Sequence, residues 1–175
     1  MPDFDPSLKG SSLVPTVLAA VLMFGLIGTA WSRLAVPRLS IRDAESGKVY
    51  GTWPGVEQFS IEFVHSVHQS QVQECFQVEG NRIRPIATRF FAFGAGMQAE
   101  LAEGQQMSRD GDALVITGFT QSFQELNYIV GTVSDHILYI HREKEKSEPI
   151  SLRDRCGKNA HIVIRINRTG FAGLY

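Results

Sequence analysis

Residues able to do chemistry gather in two stretches: His65, Ser66, His68, Glu74 and Cys75 in the first, and Arg89 with Gly94-Ala95-Gly96 in the second. A histidine beside a serine with a carboxylate nearby is the material of a hydrolytic relay, in which imidazole takes the hydroxyl proton and the carboxylate holds the ring. On an extended strand, however, His65 and Ser66 point to opposite faces, so only a turn brings them together. The chain carries no nucleophile elbow and no visible oxyanion-hole segment. A structural histidine and serine at a strand end is the plainer reading, and no catalytic residue is assigned. His65, His68, Glu74 and Cys75 are zinc-ligating types, but His-x-x-His on a strand also splits across faces, and the remainder follows no zinc pattern. No metal and no cofactor is expected.

In the second stretch, Arg89-Phe90-Phe91-Ala92-Phe93 joins a cation to aromatic bulk, and Gly94 and Gly96 permit a close backbone approach. Glycine N–H groups and the Arg89 guanidinium suit an anionic ligand group. The structural alternative is a tight turn or bulge with Arg89 paired to Glu74, since a carboxylate on an apolar strand face needs a positive or hydrogen-bonding partner. The candidate binding residues are therefore His65, Ser66, Glu74, Arg89, Gly94, Ala95 and Gly96.

The elements that must position them follow a period of two. Phe59, Ile61 and Phe63 alternate with Ser60, Glu62 and Val64, and Val72, Glu74, Phe76 and Val78 alternate with Gln71, Gln73, Cys75 and Gln77. Leu39–Arg42 and Lys48–Trp53 predict a hairpin around Gly47. Pro85, within Arg82–Phe93, predicts an edge, a bulge or a break. Further strands are expected over Ala113–Phe119, Leu126–Val133, His136–Arg142, Ile150–Arg153 and His161–Asn167, with one helical turn over Met97–Glu103 and a solvated tip over Arg142–Glu148. The expected fold class is all-β: a single sandwich or partly closed barrel of about eight or nine strands.

The chain has 175 residues, 43% hydrophobic and 20% charged, enough for one core. Its 17 basic and 18 acidic residues are spread evenly, which leaves no field of the kind nucleic acid requires. The exception is residues 13–31, an apolar run that would span roughly 28 Å as a helix, close to the thickness of a bilayer core. A transmembrane segment and a cleaved signal peptide ending near Gly28-Thr29-Ala30 both fit, and either follows a polar tail, 1–12, and precedes a linker, 32–38, and a β domain, 39–175. A buried core helix fits less well between those flanks. Arg33, Arg38 and Arg42 after the segment favour a cytoplasmic domain by charge alone, whereas a short N-terminal export segment favours an extracytoplasmic, periplasmic one. The latter is the expectation: anchored at the inner membrane, or exported after cleavage. Cys75 and Cys156 are the only cysteines. A bridge between them and two separate buried thiols are both open, with the separate thiols slightly favoured because Cys75 fits an alternating strand.

His65-Ser66-Val67 followed by Ser70 to Glu74, then Phe93-Gly94-Ala95-Gly96-Met97, resembles the bacterial family called domain of unknown function 1850. The matching positions are His65, Ser66, Val67, Glu74, Gly94, Ala95 and Gly96; Arg89 is added on chemical grounds. Gln71 and Gln98 stand where the family pattern has prolines, so local turns there can differ. The resemblance covers most of Leu39–Ile166. It implies a small, often membrane-anchored protein associated with the TAXI branch of tripartite TRAP solute transporters, with permease or solute-receptor subunits as partners. The expected function is a membrane-anchored extracytoplasmic accessory or binding protein. A small hydrolase using a His/Ser/Glu site and a structural envelope module are the alternatives.

Overall fold

The computed structural model of the protein describes residues 36–65, 69–91, 101–142 and 147–169. The alternating segments there become β1 (Val36–Asp43), β2 (Val49–Pro54), β3 (Gln58–His65), β4 (Ser70–Glu79), β5 (Arg82–Phe90), β6 (Gln106–Asp110), β7 (Ala113–Thr117), β8 (Glu125–Ile129), β9 (Ile137–His141), β10 (Pro149–Ser151) and β11 (His161–Thr169). One short helix, α1 (Leu152–Cys156), follows β10. The strands form two antiparallel sheets, a four-stranded one in the order β2-β1-β11-β8 and a seven-stranded one in the order β10-β9-β3-β4-β5-β7-β6. Neither closes into a barrel.

The sheets share one core, and parity explains its membership. Leu39 and Ile41 of β1 lie opposite Ile166 and Ile164 of β11, and Ile164 and Ile162 lie opposite Leu126 and Tyr128 of β8. Ile61 of β3 is flanked by Glu74 of β4 and Leu138 of β9, and Phe59 by Phe76 and Ile140. The two inner faces meet with Leu39, Ile41, Phe59, Ile61, Leu138 and Ile164 fully buried. Burying a side chain of this size is worth about 1.5–3 kcal/mol, so this shared face dominates the stabilising terms.

The hairpin predicted around Gly47 forms, with Gly47 at φ +70° and Asp43 accepting from the backbone N–H and hydroxyl of Ser46. These bonds, with one from Tyr50, hold the Asp43 carboxyl down to about 2. Pro85 sits at a bulge: Phe76 pairs with Pro85 but Cys75 pairs with Ala87, which leaves Ile86 as the extra residue.

Three expectations need correction. Eleven strands are present among the described residues rather than eight or nine. β6 was not foreseen because all of its residues are exposed, so it carries no alternation to read. Ile150–Arg153 is a strand only to Ser151, which then caps α1 by accepting from the Asp154 N–H. β1 begins at Val36, inside the stretch read as linker. The apolar run 13–31, residues 97–100 of the expected helical turn and residues 143–146 of the charged tip lie outside the described residues. Among those described, no helix is long and apolar enough to cross a membrane. Cys75 and Cys156 are both free, Cys75 on β4 and Cys156 at the end of α1. Burial pushes both thiols up, Cys156 to about 11.

Candidate functional site

Polar groups collect where β3 and β4 run toward their connecting turn. Glu74 takes the inner face, between Ile61 and Thr88 on the neighbouring strands, as the alternation of β4 requires. Its partner comes from the opposite sheet: the Tyr128 hydroxyl donates to Glu74 Oε2 at 2.5 Å. Burial, reinforced by the adjoining carboxylate, pushes the Tyr128 phenol far above the ordinary tyrosine range, so it stays neutral and keeps its proton.

Next to Tyr128 lies His136, its ring edge-on to the phenol at 6.1 Å between centroids and stacked on Phe63 at 5.0 Å. The Gly131 N–H donates to His136 Nδ1 at 3.2 Å, which makes that nitrogen an acceptor and places the ring proton on Nε2. Burial lowers the His136 pKa, Arg153 adds to the effect and Asp135 opposes it. The ring is therefore a neutral N–H donor at neutral pH, not a poised base.

The loop that carries these groups is tied down on both sides. Val64 N–H donates to Ser134 Oγ at 2.9 Å, and Ser134 Oγ donates to the Asp135 carbonyl at 3.2 Å. Asp135 in turn accepts from Ser151 Oγ at 2.5 Å and from the Arg153 N–H at 3.0 Å, which fastens the loop to the start of α1. Phe63, Val64, His65, Val133, Ser134 and His136 line an open cleft of about 320 Å³ at this end of the domain. Ser134 has its hydroxyl engaged as donor and acceptor, so it is not a ready nucleophile.

Of the residues expected at the site, His65 lines this cleft and Glu74 lies deeper on the same face. Because His65 faces Ser70 and Glu74 faces Ile61, the two are separated by about 13 Å along the strands, and no direct relay joins them. Arg89 is elsewhere. It pairs across from Gln73 on the outer face and donates to Asp110 at 2.8 Å, so the expected Arg89–Glu74 pair does not form. The bulge at Ile86 is the cause, since one extra residue reverses the facing of every residue after it. Ser66, His68, Gly94, Ala95 and Gly96 lie outside the described residues. Among those described, no cluster of His, Cys, Asp and Glu side chains could hold a metal ion.

Tyr128 and His136 were missed as site residues. Tyr128 sits on the inner parity of its strand, and His136 precedes the alternating Leu138 and Ile140; neither signal distinguishes a site residue from a core one.

Fold and site together define an antiparallel two-sheet β domain with a small cleft lined by Phe63, His65, Val133 and the neutral His136. A family model, Domain of unknown function (DUF1850), matches residues 59–146, just over half of the chain, and the protein belongs to that family. No curated protein and no solved structure matches it.

Proposed function

We propose that the protein is a membrane-anchored, extracytoplasmic binding module that works with a TRAP-type solute transporter, and that its cleft meets a permease or solute-receptor subunit. In this reading the apolar run 13–31 supplies the anchor, and the family resemblance supplies the class of partner. The observation that carries the binding role is the composition of the cleft. Val133, 84% exposed, and Val64, 40% exposed, form an apolar rim around His65 and the neutral His136. Apolar side chains held in water beside an oriented imidazole N–H favour a partner that buries the first and accepts from the second. A reaction would instead need a ring nitrogen free to take a proton, and the Nδ1 lone pair of His136 is engaged by the Gly131 N–H, while the Tyr128 proton is held by Glu74.

The test is affinity purification of the full-length protein from native membranes in mild detergent, with mass spectrometry of what accompanies it. TRAP permease or receptor subunits should be recovered, and recovery should fall at least about tenfold in His65→Ala/Val133→Ser, two exposed changes expected to leave the fold intact. Full recovery of the bait without such subunits overturns the reading.

A further inference from the structure

We propose that the outer face of the four-stranded sheet carries a second site, formed by Arg38, Arg42, Thr52 and Asn167, that binds a phosphate ester. It is independent of the cleft. Leu39 and Ile41 point into the core, so Arg38, Ser40 and Arg42 share the outward face of β1. Thr52 of β2 lies opposite Ser40, and Asn167 of β11 lies opposite Arg38. Ser40, only 1% exposed, forms the floor, and its hydroxyl accepts from Asn167 Nδ2 at 3.1 Å, which holds the amide over it.

These residues, with Asn81 and Arg168, line a depression of about 510 Å³ whose lining includes no carboxylate among the described residues. Arg165, beside Ser40 on the same face, shows what an ordinary arginine does here: it donates to Glu125 at 2.6 Å. Arg38 and Arg42 have no acidic partner among the described residues. Arg38 Nε is moreover withdrawn from solvent with no acceptor among the described residues. Buried N–H groups of charged side chains are rarely left without a partner, which makes this one a donor in want of an acceptor. Two guanidinium groups lining one depression with side-chain amide and hydroxyl donors match the several oxygens of a phosphate group. The volume leaves room for an organic substituent on that phosphate.

A soluble phosphate ester and a phospholipid headgroup present the same oxyanion. The test uses full-length protein in a neutral detergent, with inorganic phosphate titrated by calorimetry and retained lipid identified by native mass spectrometry after incubation with equal phosphatidylglycerol and phosphatidylcholine. Saturable phosphate binding is expected, weakened about tenfold or more in Arg38→Gln/Arg42→Gln and several-fold in Arg42→Gln alone, whose exposed side chain can be changed without disturbing the core. Arg82→Gln, a control on the other sheet, should bind as the parent does. Preferential retention of phosphatidylglycerol, lost in the variants, identifies the headgroup as the source; phosphate binding without that preference identifies a soluble ester. Absence of both, or equal binding by the parent and Arg42→Gln, overturns the site.

Discussion

Tyr128 and Glu74 each make the other tolerable on an inner face. Without the phenol, the carboxylate would sit between Ile61 and Thr88 with its nearest donor gone; without the carboxylate, the hydroxyl would face a largely apolar wall. Removing one partner of a hydrogen bond to a charged group leaves the other unsatisfied, and this outweighs the modest net value of the bond. Tyr128→Phe should therefore lower unfolding stability by about 1–2 kcal/mol in urea titration, whereas Glu74→Gln, which still accepts from the phenol, should lose less. A larger loss in Glu74→Gln would show that charge, not acceptor capacity, matters there. His136 makes a prediction in pH. Its pKa is lowered in the folded state, so the unfolded chain binds more protons as the solution acidifies. The stability that this difference supplies is complete above the ordinary histidine value of 6.5 and is lost as pH falls toward the lower folded value. Urea midpoints measured between pH 7 and 5 should thus fall less steeply in His136→Gln than in the parent; parallel slopes would remove His136 as the source.

The cleft depends on how three elements meet rather than on any one of them. α1 has only five residues, too short to be stable alone, and Asp135 fastens it to the loop before β9 through Ser151 Oγ and the Arg153 N–H. Asp135→Ala should lower stability by about 1–2 kcal/mol and increase amide hydrogen exchange at Arg153 and Asp154 ahead of the core strands. Uniform exchange across the domain would mean the loop and helix are not a separate opening unit. The same scale shows what the sequence could disclose. The parity of Val72, Glu74, Phe76 and Val78 placed Glu74 on the inner face, and that placement was readable because four alternating residues agree. Its partner was not, since Tyr128 comes from the other sheet and no local pattern records which strands face each other. Arg89 failed for a different reason. Ile83 and Pro85 share the inner face, and uninterrupted alternation would have put Arg89 beside them; Pro85 warned of a bulge but not of which residue it inserts. β6 left no trace because a strand exposed along its whole length has no hydrophobic period.

For the whole molecule, the decisive feature is that its first and last described strands are neighbours. β11 lies between β1 and β8, so three of the four strands of one sheet come from outside the residues 59–146 that define the family match. Those residues supply β3 to β7, β8 and β9, one inner face of the core with little to cover it. Leu39, Ile41, Ile162, Ile164 and Ile166, all buried, would be missing, and each is worth about 1.5–3 kcal/mol in burial. The lost total is comparable to the entire stability of an ordinary domain of about 5–15 kcal/mol. A fragment of residues 59–146 should therefore fail to fold: its amide resonances should collapse into a narrow band and its urea titration should show no cooperative transition. A fragment of residues 36–169 contains both sheets and should give dispersed resonances and a single sigmoidal transition. If the shorter piece folds cooperatively, the seven-stranded sheet is an independent unit and the four-stranded sheet an addition to it. The cleft would then have to be examined without Tyr128 in a fixed place, because β8 would have lost the strand against which it is registered.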